Sequence, residues 1–140
     1  MNNAVTIVMI EDDEGHARLI EKNIVRAGVT NPIVHFSNGS TALGYLEQNG
    51  HSARSLLVLL DLNLPDMTGI DILQKLKNDE GLRRAPVIVL TTTDDKREIE
   101  RCYELGCNVY ITKPVEYEHF ANAIRQLGLF FSVIQVPESA

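Results

Sequence analysis

Acidic residues follow directly on runs of aliphatic residues in this 140-residue chain, where a buried strand has to end in a charge. "IVMI" leads into Glu11, Asp12 and Asp13, and "LLVLL" leads into Asp61. Two further apolar runs end in Thr91, Thr92 and Thr93, and in Thr112, Lys113 and Pro114. If these run ends share one rim, Glu11, Asp12 and Asp61 lie within several ångströms of one another. Two like charges about 4 Å apart cost on the order of 4 kcal/mol at an effective dielectric near 20, so three unneutralised carboxylates would oppose folding or take up protons. A hard divalent cation removes the conflict, because Mg²⁺, or Mn²⁺ in its place, accepts carboxylate and carbonyl oxygens. Asp13 taken alone is as well suited to capping a following helix. Lys113, which in isolation reads as a solvated lysine, can here pair with Asp61 and hold one oxygen of a phosphoryl group. Pro114 permits a cis bond that would turn Lys113 inward.

The elements that carry these residues are legible in the apolar pattern. Five short runs recur: "AVTIVMI" (4 to 10), "IVHF" (33 to 36), "LLVLL" (56 to 60), "PVIVL" (86 to 90) and "NVYIT" (108 to 112). Three are nearly continuous in Val, Ile and Leu, as strands covered by helices on both faces are. Between them Ala17, Ile20, Ile24 and Ala27 share one helical face, with Gly28 as a stop. Ile70, Leu73 and Leu76 repeat the pattern, as do Ile99 and Cys102 before Gly106, and then Phe120, Ile124, Leu127 and Phe131. Asn38 to Gln48 is the weakest helical segment. Strands alternating with helices predict right-handed crossovers and a five-stranded parallel sheet in a doubly wound α/β domain, whose site lies beyond the C-terminal strand ends.

Composition narrows the function classes. A net charge of −6, from 13 basic and 19 acidic residues, disfavours a nucleic-acid surface. No apolar run approaches the roughly 18 residues that span a bilayer, and nothing reads as a signal peptide, so a cytoplasmic globular domain is expected. Cys102 and Cys107 lack metal-binding spacing and read as reduced thiols. "IEDDEG" after the first strand would repel the phosphate of a flavin mononucleotide or dinucleotide.

"IVMIEDDEGHARLI", "LLVLLDLNLPDMTGIDIL", "APVIVLTTTDD" and "LGCNVYITKP" together resemble the receiver domain of two-component response regulators, over about residues 4 to 127. The resemblance implies the flavodoxin-like strand order 2-1-3-4-5 and a phosphoacceptor role for Asp61, supplied by the phosphohistidine of a sensor histidine kinase. It makes Asp12 a direct Mg²⁺ ligand, Glu11 a ligand through water, and Asn63 a ligand through its backbone carbonyl. Thr91 becomes the hydroxyl that moves toward the new phosphoryl group, Thr92 a backbone contact to it, Lys113 the ion-pairing lysine, and Tyr110 an aromatic switch. On this reading the chain is a signalling protein that catalyses only its own phosphorylation and dephosphorylation.

Glu11 stands where the family commonly has Asp, and Thr92 where it usually has Ala or Gly, which restricts attacking water or small phosphodonors. Residues 128 to 140 form an extension rich in apolar residues. It is similar to that of stand-alone receivers that work with phytochrome histidine kinases, which implies a light-sensing upstream kinase and a homodimer involving Phe130 and Phe131; a tail folded back on its own domain is the alternative. Two other functions stay open. A pseudo-receiver binding module would ordinarily have lost an acid or the lysine, and an Asp-nucleophile phosphatase of the haloacid dehalogenase type would carry its nucleophile after the first strand.

Overall fold

The computed structural model describes residues 5–48 and 56–131, with side chains for 5–47 and 56–126. Five strands and five helices alternate along it: β1 (Thr6–Ile10), α1 (Glu14–Arg26), β2 (Ile33–Phe36), α2 (Gly39–Gln48), β3 (Leu56–Leu60), α3 (Gly69–Asn78), β4 (Val87–Thr91), α4 (Lys96–Leu105), β5 (Val109–Thr112) and α5 (Tyr117–Phe131). The strands are all parallel in the order β2-β1-β3-β4-β5. This is the expected flavodoxin-like receiver topology. The change of direction falls between β1 and β3, so their C-terminal ends form the crevice.

The continuous aliphatic strands supply two cores at once, because alternate side chains point to opposite faces. Ile7, Met9, Leu57, Leu59, Ile88 and Leu90 meet α1 and α5 through Ile20, Ile24, Phe120 and Ile124. Val8, Ile10, Val58, Leu60, Val87 and Val89 meet α2, α3 and α4 through Leu46, Ile72, Leu73, Leu76 and Cys102. Every residue of β3 and β4 is buried.

Helix starts follow local chemistry. The Asp13 carboxylate accepts the His16 amide at 2.9 Å, Thr68 Oγ1 accepts that of Asp71 at 3.2 Å, and Asp95 that of Arg97 at 2.8 Å. Gly28 (φ 87°) and Gly106 (φ 107°) end α1 and α4 in the left-handed region, as their positions predict. In α3, Ile72 is fully buried whereas Ile70 only packs against the cluster from its edge, so the buried stripe sits slightly off the Ile70–Leu73–Leu76 line. Helix α5 continues to Phe131. The side chains of Leu127, Phe130 and Phe131, and residues 132–140, lie outside the described residues.

Both cysteines are buried and free, and burial pushes their thiols up to about 11 for Cys102 and about 12 for Cys107. Both remain protonated and act as small core residues. Among the described residues, no helix is long and apolar enough to cross a membrane.

Candidate functional site

The three acids that end β1 and β3 converge. Glu11, Asp12 and Asp61 each offer a carboxylate oxygen, and these atoms lie within 4.8 Å of one another. Glu11 and Asp61 are buried, whereas Asp12 faces solvent. The donors are all hard oxygens and outnumber the adjacent ammonium three to one. That set suits a divalent cation and no softer metal.

Asp61 is held on every side. Its amide donates to the Ile10 carbonyl at 3.0 Å, continuing the β1–β3 ladder by one residue past the strand. Asp61 Oδ1 accepts the Asn63 amide at 3.0 Å, and Oδ2 lies 3.3 Å from Lys113 Nζ. Directly above it α3 begins at Gly69, where a Cβ would stand 2.5 Å from the Asp61 carbonyl oxygen and 2.6 Å from Leu62 Cα. No side chain fits there, and the loop from Asp61 to Gly69 closes tightly because of it.

Lys113 arrives from the end of β5, with its amide on the Thr91 carbonyl at 2.8 Å and a cis bond to Pro114. Its side chain is 5% exposed and its ammonium reaches three acceptors: Glu11 Oε1, Asp61 Oδ2, and His16 Nδ1 at 3.0 Å. The pairing with Asp61 was expected from the sequence, and the tighter one with Glu11 was not. Glu11 Oε2 also accepts the Asp13 amide at 3.2 Å, and the Glu11 carbonyl is 2.7 Å from His35 Nε2. Burial pushes the Glu11 carboxyl up to about 7; Lys113 opposes the rise and Asp61 adds to it. A metal-free site therefore keeps a proton on Glu11 to well above the ordinary carboxylate range.

Asp13 resolves as the helix cap: its carboxyl is held below the usual range, first of all by the His16 backbone N–H. Thr91 is fully buried, and Asn63 Nδ2 donates to Thr91 Oγ1 at 3.3 Å and to exposed Thr92 Oγ1 at 3.5 Å. Tyr110 is turned inward, its hydroxyl donating to the Thr93 carbonyl at 2.6 Å while its amide donates to the Tyr103 hydroxyl at 3.1 Å. Burial pushes the Tyr110 phenol well above its ordinary range, so it stays a donor.

Two contributors escaped the sequence reading. Asp66 receives the amides of Gly39 at 2.8 Å and Ser40 at 2.9 Å, anchoring the β3–α3 loop to the start of α2. His16 is the other, and its only sequence signal is its place one turn after the acidic cluster.

With this geometry in view, the comparisons with known proteins decide the family: residues 7–125 match the model of the response regulator receiver domain. The chain belongs to the response regulator receiver family. This receiver is similar to a crystal structure of a response regulator receiver domain from Rhodospirillum rubrum, with 68% identity, a TM-score of 0.79, and 96% and 99% of the two chains covered. It is 34% identical over 115 residues to Response regulator Rcp1 of Synechocystis sp., covering 80% of this chain and 78% of that protein. A crystal structure of the Mn²⁺-bound form of Rcp1 superposes with a TM-score of 0.74, 28% identity, and 96% and 99% coverage. The bacteriophytochrome response regulator AtBRR superposes with a TM-score of 0.76 at 32% identity, over 98% and 99% of the chains.

Proposed function

We propose that Asp61 accepts a phosphoryl group from the phosphohistidine of a sensor histidine kinase in a Mg²⁺-dependent reaction, and that the phosphorylated receiver signals by contact with another protein. The observation that carries this reading is the carboxylate of Asp61, fixed at the end of a fully buried strand between two further acids and one buried ammonium.

In the transfer, an Asp61 oxygen forms a bond to phosphorus as the P–N bond to the kinase imidazole breaks, and the departing nitrogen keeps the electron pair and takes a proton. Transfer through a loose transition state asks mainly for alignment and charge neutralisation. Asp61 supplies alignment, since its backbone and both carboxylate oxygens are tied down. Lys113 supplies a positive charge to one phosphoryl oxygen, and the Thr92 amide a further donor. Glu11, Asp12, Asp61 and the carbonyl of Asn63 would hold Mg²⁺, which when bound neutralises phosphoryl charge.

The product carries nearly two negative charges where one stood. The Thr91 hydroxyl, already in a network with Asn63, turns toward them, and the loop after β4 follows. Tyr110, hung from the Thr93 carbonyl of that loop, carries the change to the surface of α4 and β5. Similarity to AtBRR supports a phytochrome as the upstream kinase, acting in the cytoplasm, and Phe130 and Phe131 are proposed to join two copies.

The test is incubation with acetyl phosphate, with and without Mg²⁺, comparing the native chain with Asp61→Asn by intact mass. One added phosphoryl group that requires both Mg²⁺ and Asp61 is the expected result. A chain that stays unmodified even with a phosphorylated histidine kinase overturns the reading.

A further inference from the structure

We infer that His16 is a positioning residue for Lys113, accepting one of its three ammonium hydrogens through Nδ1 and so fixing the direction from which Lys113 meets a phosphoryl group on Asp61. The inference rests on the phosphoacceptor reading above.

An ammonium has three hydrogens and no lone pair, so its direction is fully set only when three acceptors surround it. Lys113 Nζ has three here: Glu11 Oε1, His16 Nδ1 at 3.0 Å and Asp61 Oδ2 at 3.3 Å. The Asp61 contact is the longest, and it is the one that an arriving phosphoryl oxygen would replace. Glu11 and His16 then remain as the two fixed points. Without His16, an ammonium on a flexible four-carbon stem could turn about its Glu11 contact.

The sequence builds this contact from both ends. The Asp13 cap takes the His16 amide, which sets the first turn of α1 and directs the ring toward β5. Lys113 is anchored through its own amide to Thr91. The ring borders a hollow of about 210 Å³ lined otherwise by Leu19, Ile20, Lys113, Pro114 and Val115, so Lys113 is the one charged group in that lining. Because an ammonium can only donate, Nδ1 must be bare and the neutral ring must carry its hydrogen on Nε2.

Asn bears Oδ1 where His bears Nδ1, one bond beyond Cγ, so His16→Asn retains an acceptor and His16→Leu removes it. With the full chain, saturating Mg²⁺ and acetyl phosphate, His16→Leu should take up phosphate about five- to tenfold more slowly, the loss expected of one charge-assisted hydrogen bond partly open to water. His16→Asn should stay within about twofold of the native rate. Equal rates in all three proteins, or an Asn variant as slow as the Leu variant, overturn the inference. If the native chain takes up no phosphate from acetyl phosphate or from a phosphorylated histidine kinase, the phosphoacceptor reading fails, and imidazole ¹⁵N spectra decide the contact separately. A His16 ring protonated at Nε2, whose Nδ1 signal moves on Lys113→Met, upholds the contact; a ring protonated at Nδ1 or indifferent to that substitution overturns it.

Discussion

Without metal, this protein should lose stability as pH rises toward neutrality, and Glu11 should be the cause. Its side chain is 2% exposed, and its carboxyl loses a proton at about 7 in the folded chain against an ordinary value of 4.5. Between those two values the folded state binds more protons than the unfolded state, so unfolding becomes easier with each step upward in pH. At about 1.4 kcal/mol per pH unit, the full penalty above neutrality is on the order of 3 kcal/mol. Bound Mg²⁺ should reverse the trend, because it prefers the carboxylate form and its stabilisation grows as Glu11 ionises. The assay is urea unfolding followed by circular dichroism between about pH 5 and pH 8, in EDTA and in excess Mg²⁺, for the native chain and Glu11→Gln. Subtracting the variant's profile removes the titrating groups that do not touch Glu11, and leaves Glu11 with its partners Asp61 and Lys113. A difference that is flat in EDTA, or that rises with pH, would refute the argument that burial outweighs the Lys113 ion pair.

Other substitutions probe the frame and the assembly. Phe120→Ala removes a fully buried ring from between α5 and the sheet, and should cost about 3–5 kcal/mol in urea unfolding; less than about 1 kcal/mol would mean the α5 contact is loose. Gly69→Ala forces a methyl group against the backbone of Asp61 and Leu62, and should destabilise by about 3 kcal/mol or more while slowing phosphorylation. An unaltered midpoint would show that the β3–α3 loop yields. Replacing Phe130 and Phe131 by Ser should convert a dimer to a monomer in light scattering, and an unchanged mass removes these residues from any interface.

The strand ends were readable because the aliphatic runs are unbroken: a chain that must bury both faces of β3 leaves one place for a charge, and Asp61 occupies it. Asp12 and Asp61 were placed by the same logic, and the fold followed from the alternation of runs and helical faces. What the sequence concealed were partners joined only by folding. Lys113 and Glu11 are 102 positions apart, and no local pattern says that the acid of β1 takes the ammonium more closely than Asp61 does. Asp66 carries no local signal, because the amides it receives lie 27 and 26 residues earlier. His16 stands at the edge of the apolar face, one turn before Ile20, where it is exposed and reads as the polar end of that face until β5 is set beside it.

The close approach of Gly69 to the Asp61 carbonyl has one more consequence. With its amide on β1, its carbonyl against α3 and its strand enclosed on both faces, Asp61 behaves as an anvil: force applied to its carboxylate cannot be absorbed beneath it. The β1 side is equally stiff, because Glu11 is tied to Lys113, Asp13 and His35. The exit of β4 is tied more loosely: the Thr91 carbonyl takes the Lys113 amide, but exposed Thr92 meets Asn63 Nδ2 at 3.5 Å, the outer limit of a hydrogen bond. On the phosphoacceptor reading, a phosphoryl group on Asp61 therefore acts outward along that loop, toward the ring of Tyr110 that hangs on the Thr93 carbonyl.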